Sequence, residues 1–239
     1  MRESPPAPRL SILIATLDEE STIEACLRRV LAVYPSDCEV IVVNGGRDRT
    51  GEIVERMAAE HPAIRHVRNA DDRGKGHAIR VGVSHARAPV HAQLDADLQF
   101  LPEELPRLVA PVLEGRADIA LGSRFCRGAV RRPGSTPPVR TLGNRTISLY
   151  ASALFGQWLS DVQAGMKAWS AEAMRRLGLQ SDNYSYEVEI AVKGLARGLR
   201  VVDVPVTTEA RAGGHSNVRL LRSGLALLRD ISMFRLGLK

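Results

Sequence analysis

A short apolar run followed by a stretch whose apolar residues recur every three to four positions is repeated through the first hundred residues, and this alternation limits the fold more than any other feature. Apolar or β-branched runs at 10–15, 38–43, 64–67 and 89–94 predict strands. Between them, the spacing predicts one helix beginning near Thr22, a second over 50–61 and a third ending near Ala86. Ser21 and Glu24 stand at capping-box spacing ahead of the first helix. Such a β–α alternation requires a mostly parallel sheet with helices on both faces. In that architecture ligands bind beyond the carboxyl ends of the strands.

Behind the fourth run comes "LDADLQFLPEEL", with Asp95 and Asp97 one residue apart and Pro102 at a position where a helix tolerates proline. In a regular strand the two carboxylates would point to opposite faces. At a strand end, a turn can bring both towards one hard cation, to which Gln99 adds an amide oxygen. Alternatively, the acidic residues simply complement a helix N-terminus.

Further along, 119–123 and 199–206 read as strands, "GMKAWS" as a short one, and 142–159, 170–177 and 185–197 as helices. The segment 124–140 is irregular and rich in Gly, Pro and Arg, the composition of a functional loop. The C-terminal stretch 218–239 sorts Leu220, Leu221, Leu225, Leu227, Leu228, Ile231, Phe234 and Leu238 onto one arc, with Arg219, Arg222 and Arg229 opposite. Two readings stay open for it: a basic amphipathic helix at a membrane surface, or a helix that covers the core or joins a homodimer.

Composition removes several function classes. The 239 residues are 44% hydrophobic and 25% charged, which suits one large domain. Three cysteines without pair spacing argue against a disulfide framework or a zinc site. The net charge of +6 calls for an anionic partner, but aromatics are only 4% of the residues and none interleaves with the arginine clusters, so nucleic acid is not expected. No Walker A pattern is present, and Ile79 stands where G-x-G-x-x-G needs its third glycine. No apolar run approaches the roughly 20 residues of a spanning helix. Residues 1–8 read as a disordered lead-in rather than a signal peptide, so a cytoplasmic protein is expected.

The segments "SILIATLDEESTI", "VIVVNGGRDRTGEI", "RGKGHAIRVG", "LDADLQFLPEEL", "LGSRF", "DVQAGMKAW" and "RAGGHSN" resemble, in order, those of family 2 glycosyltransferases. The set looks most like the dolichol-phosphate mannose synthase and polyprenyl-phosphate glycosyltransferase branch. The resemblance covers about 9–217 and implies a GT-A fold with Rossmann-like layering. It implies inverting transfer of a hexose from a GDP- or UDP-sugar to a polyprenyl phosphate, with Mg²⁺ or Mn²⁺ on Asp95, Asp97 and Gln99. Asp97 and Arg124 would be catalytic. The donor nucleotide would meet Ala15, Thr16, Glu19, Asn44, Gly45, Asp48, Lys75, Gly76, Asp95 and Ala96. The acceptor phosphate would meet Arg124, Arg140, Asn144, Arg211 and Ser216.

A guanidinium holds phosphate oxygens in pairs, which an ammonium does less well. An already anionic acceptor needs little or no general base, so no catalytic histidine is required, and His77, His85 and His91 read as packing or surface residues. Glu187 and Glu189 match acidic positions beside the acceptor, or belong to a solvated helix face. Two departures stand out: Asn44-Gly45-Gly46-Arg47 replaces an aspartate-rich turn, and Asn217 replaces a lysine. A lipid acceptor implies peripheral contact with the cytoplasmic membrane face or a membrane-anchored partner. A non-lipid acceptor, or a sugar nucleotidyltransferase, are the alternatives.

Overall fold

The computed structural model describes residues 7–213 and 220–238. Strands β1 (Leu10–Thr16), β2 (Cys38–Asn44), β3 (Ile64–Arg68) and β4 (Val90–Gln93) alternate with helices α1 (Ile23–Val33), α2 (Thr50–Glu60) and α3 (Lys75–His85). A 3₁₀ turn at Pro102–Glu104 leads into α4 (Leu105–Leu113), followed by β5 (Ile119–Ser123), β6 (Val130–Arg131) and α5 (Pro138–Phe155). The chain continues through β7 (Lys167–Ser170), α6 (Ala171–Leu177), α7 (Ser185–Ala196), β8 (Val201–Pro205), β9 (Thr207–Thr208) and α8 (Leu220–Arg235).

The main sheet has the order β3-β2-β1-β4-β7-β5-β8. It is parallel except for β7, which runs antiparallel between β4 and β5. Alternation along the strands assigns side chains to two cores, as a two-residue period demands. Ile12, Ile14, Val40 and Val42 pack under α1, α2 and α4. Leu13, Ile41 and Val43 pack under α3, α5, α6, α7 and α8. This is the expected α/β layering, with seven strands in the main sheet, two in a small one and eight α-helices among the described residues.

Two local expectations change. The Ser21–Glu24 capping box does not form: α1 starts at Ile23, and the Glu19 carbonyl accepts the N–H groups of Thr22 and Ile23. Glu24 is drawn instead to Arg28 and Arg56, at 2.7 and 2.6 Å. The irregular stretch is also shorter than expected, because α5 begins at Pro138 with its proline in the first turn. Part of that stretch pairs as β6 with β9.

Helix α8 covers the core. Leu227, Ile231 and Phe234 are buried against the layer containing α5 and α7, while Leu225 and Leu238 stay exposed. Among the described residues, no helix is long and apolar enough to cross a membrane.

Candidate active site

Strand order reverses direction between β1 and β4, and such a switch point opens a crevice at the strand ends. Asp95 and Asp97 leave β4 there. The turn carrying them is tight enough that Leu98 takes φ 58°, a left-handed conformation costly for leucine. It is held by the Gln99 N–H donating to Asp97 Oδ1 at 3.0 Å and the Ala212 N–H donating to the Asp97 carbonyl at 3.1 Å. The segment 207–212 thus pins the turn, and Arg211 reaches Asp97 Oδ2 at 2.8 Å.

A cleft of about 740 Å³ lies before this turn, lined by Lys75, Asp95, Gln99, Arg124, Arg140, Asn144 and Arg211 among others. The sequence thus singled out these seven residues, from five separate segments, that line one cavity. Lys75 Nζ sits 2.8 Å from Asp95 Oδ1 and 3.0 Å from Glu187 Oε1. Although burial opposes its charge, these two carboxylates hold its ammonium well above the usual lysine range. Burial, then the charge of Asp95, pushes the Asp97 carboxyl up, against the pull of Arg211. Two mutually repelling carboxylates that need two cations for balance, with an amide oxygen beside them, form an oxygen-only donor set that fits a hard divalent ion. Gly165 keeps this corner open: a Cβ there would lie 2.5 Å from Asp95 Oδ2.

Arg124 departs from the expected role of a free phosphate clamp. Its Nε donates to Asp161 Oδ2 at 2.7 Å and its NH2 to Oδ1 at 2.9 Å, with Asp161 fully buried. The fork is therefore committed to an internal carboxylate, and only the remaining edge can face the cleft.

The other expected positions separate. Asn44 and Gly45 line a second cleft of about 450 Å³ across the ends of β1, β2 and β3, with Asp18, Arg47, Arg68, Asn69 and Asp72. Asn44 Oδ1 accepts from Thr16 Oγ1 and the Gly46 N–H, so its oxygen holds the turn. Asp48 likewise accepts the Glu20 and Thr50 N–H groups. Glu19 accepts from Thr22 Oγ1, and burial pushes its carboxyl up. Ala15 and Thr16 end β1 and Ala96 lies in the turn past β4, none of the three among the described lining of either cleft, and Ser216 lies outside the described residues.

The glycines of "RGKG" serve the protein itself. A side chain at Gly74 or Gly76 would collide with the backbone of 181–183. Glu189 is buried, bonding Lys193 and the N–H groups of Gln180 and Ser181, so the solvated-face reading of α7 is wrong. Sequence reasoning set Asp18 in the turn after the first strand without giving it a role, and did not single out Asn69 or Asp72, which line the second cleft with it. The run "NADD" at the end of β3 was the available signal. His91 is buried with Nε2 against the Ala88 carbonyl, and among the described residues no histidine lines either cleft; His215 lies outside them.

Comparison with known proteins fits this geometry. Hexosyltransferase Agl6 of Haloferax volcanii, of low-salt glycan biosynthesis, is 34% identical over 211 residues, covering 87% of this chain and 49% of that protein. The chain thus spans about half the length of that relative. Polyprenol monophosphomannose synthase of Mycolicibacterium smegmatis is 29% identical, with 89% and 82% covered. Undecaprenyl-phosphate mannosyltransferase of Micrococcus luteus is 29% identical, with 96% and 100% covered. Among solved structures, glucosyl-3-phosphoglycerate synthase of Mycobacterium tuberculosis, in complex with Mn²⁺, UDP and glucosyl-3-phosphoglycerate, superposes with a TM-score of 0.72 at 22% identity. That match covers 96% of this chain and 80% of the synthase. Residues 11–177 match the family described as glycosyl transferase family 2, and the chain belongs to that family.

Proposed function

We propose that this protein transfers a hexose, mannose or glucose, from a GDP- or UDP-sugar to a polyprenyl phosphate, with inversion at the anomeric carbon. The observation that supports this most is the 740 Å³ cleft, whose lining brings the Asp95 carboxylate and the Gln99 amide together with the guanidinium groups of Arg124, Arg140 and Arg211. A metal-fitting carboxylate turn and several guanidinium groups in one cleft suit two anionic reactants that must approach each other. Relatives named for polyprenyl-phosphate substrates agree with it.

In this reading Asp95, Asp97 and Gln99 hold Mg²⁺ or Mn²⁺, which when bound neutralises charge growing on the departing diphosphate. Lys75 and Arg211 then exchange part of their pairing with Asp95 and Asp97 for phosphate oxygens. The second cleft, over the ends of β1 to β3, takes the nucleoside, leaving the diphosphate at the switch point. Arg140 and Asn144, one helical turn apart on α5, orient the acceptor phosphate, and Arg124 adds its uncommitted edge. An acceptor phosphate oxygen that is already anionic attacks directly, with little or no need of a general base.

The test is transfer of labelled hexose from a panel of GDP- and UDP-sugars to a short polyprenyl phosphate, with Mn²⁺, Mg²⁺ or chelator. Asp97→Ala should lower transfer by about 10²-fold or more while the protein melts cooperatively. No transfer from any donor would refute the reading, and undiminished transfer in chelator would refute the metal.

A further inference from the structure

Between Asp118 and Asp161 the chain holds six arginines and no aspartate or glutamate. That span includes α5, whose solvent side is apolar. Val139, Leu142 and Leu149 are 63%, 69% and 57% exposed. With Thr146 and Ala153 they recur at i, i+3, i+7, i+10 and i+14, within an arc of roughly 80° at 100° per residue. Single exposed apolar residues are ordinary, but an aligned row marks a contact surface. Leu225 on the adjoining α8, 72% exposed, adds to the apolar surface.

Cations accompany this row. The guanidinium carbons of Arg131 and Arg145 each lie 5.4 Å from the Phe125 ring centroid. Neither has a carboxylate partner among the described residues, and Arg131 donates only to Thr141 Oγ1, at 3.2 Å. The ring organises two uncompensated charges near the apolar row. Another side of α5 carries Arg140, Gly143, Asn144 and Ile147 into the large cleft.

We propose that the outer face of α5 is a membrane-docking surface that seats the protein on a bilayer containing anionic lipid. An apolar stripe with flanking arginines is the composition of an interfacial helix. The cleft on another side of the same helix would then open beside the bilayer, where a lipid phosphate keeps its head in reach. In this respect the proposal rests on the lipid-phosphate reading above. A second copy of the chain is the poorer occupant, because a two-fold contact would place Arg131 and Arg145 against their own copies with no acidic residue on the face to receive them.

The experiment is flotation of the full chain with vesicles of phosphatidylcholine, with and without phosphatidylglycerol. Binding is expected only where phosphatidylglycerol is present. Leu142→Glu combined with Leu149→Glu should weaken it by about tenfold or more. Arg131→Gln and Arg145→Gln should each weaken it about fivefold. Transfer to a short, water-soluble polyprenyl phosphate should be unchanged in the leucine variant. Flotation that survives the leucine substitutions, or absence of binding by the unaltered protein, overturns the proposal. So does a dimer that Leu142→Glu converts to a monomer. Failure of the transfer assay with flotation intact would instead overturn the lipid-phosphate reading and leave the docking surface standing.

Discussion

Replacing Asp161 by asparagine keeps the shape of a fully buried side chain and removes the charge that balances Arg124. Three bonds end on this carboxylate: the Arg124 N–H at 3.1 Å and Nε at 2.7 Å on Oδ2, and NH2 at 2.9 Å on Oδ1. An asparagine oxygen can replace Oδ2 and keep two of them, but its amide nitrogen then faces the NH2 group, donor against donor. The guanidinium, itself buried, loses its bonded counter-charge and keeps only the lesser influence of Glu187 and Asp95. Breaking a buried pair from one side costs about 3–5 kcal/mol, and the two retained bonds put this case near 3. For a domain of this size that corresponds to a fall in Tm of roughly 6–12 °C. Urea titration followed by circular dichroism measures it. Adding Arg124→Met should recover part of the loss, because the stranded charge is gone. A loss under about 1 kcal/mol, or strictly additive effects of the two substitutions, would refute the reasoning.

Two other perturbations have defined signs. Lys167 is fully buried, donates to the Ala164 carbonyl, and burial pushes its ammonium down to about 8 from 10.5. Its folded value lies below the unfolded one, so charging it destabilises the fold throughout the range below pH 8, and this penalty is relieved between about 8 and 10.5. Lys167→Met should therefore stabilise the protein by about 3 kcal/mol at pH 7, with the gain fading by pH 10.5. Denaturant curves across that range showing no fading would count against it. Gly165→Ala would push a methyl onto Asp95 Oδ2, 2.5 Å away, and should reduce transfer about 10²-fold. A melting temperature close to that of the unaltered protein would accompany the loss, whereas full activity would show that the corner has slack.

Much of the framework is legible because it is periodic. The two-residue alternation in β1 and β2 and the 3.6-residue period of α1 to α3 are local properties that place each side chain on a face before any contact is known. The same holds for Asp95 to Pro102, where the end of an apolar run, two carboxylates and a helix-starting proline follow within eight residues. Lys75, Asp95, Gln99 and Arg124 line one cleft for the same reason, since β–α alternation sends those strand ends to one edge, whereas Arg140 and Asn144 reach it from α5 and Arg211 from beyond β9.

Partnership between distant residues is a different matter. Nothing local says that β7 inserts antiparallel between β4 and β5, because strand neighbours are chosen by the packing of two helical layers. Lys75 and Gly76 are expected at the donor nucleotide, yet the glycines flanking Lys75 admit the 181–183 backbone, and the ammonium lies between Asp95 and Glu187. Likewise Arg124 reads as a free phosphate clamp until Asp161, 37 residues away, takes its fork.

The sequence alone therefore determined the layered α/β architecture and the place of the Asp95–Asp97 turn at the carboxyl edge of the sheet, since each follows from short-range spacing. Only the tertiary structure decided which charges are committed to one another and which stand free. Burial makes an unpaired ion costly, so pairing is settled by whichever group the fold brings within about 3 Å, and chain separation carries no record of that.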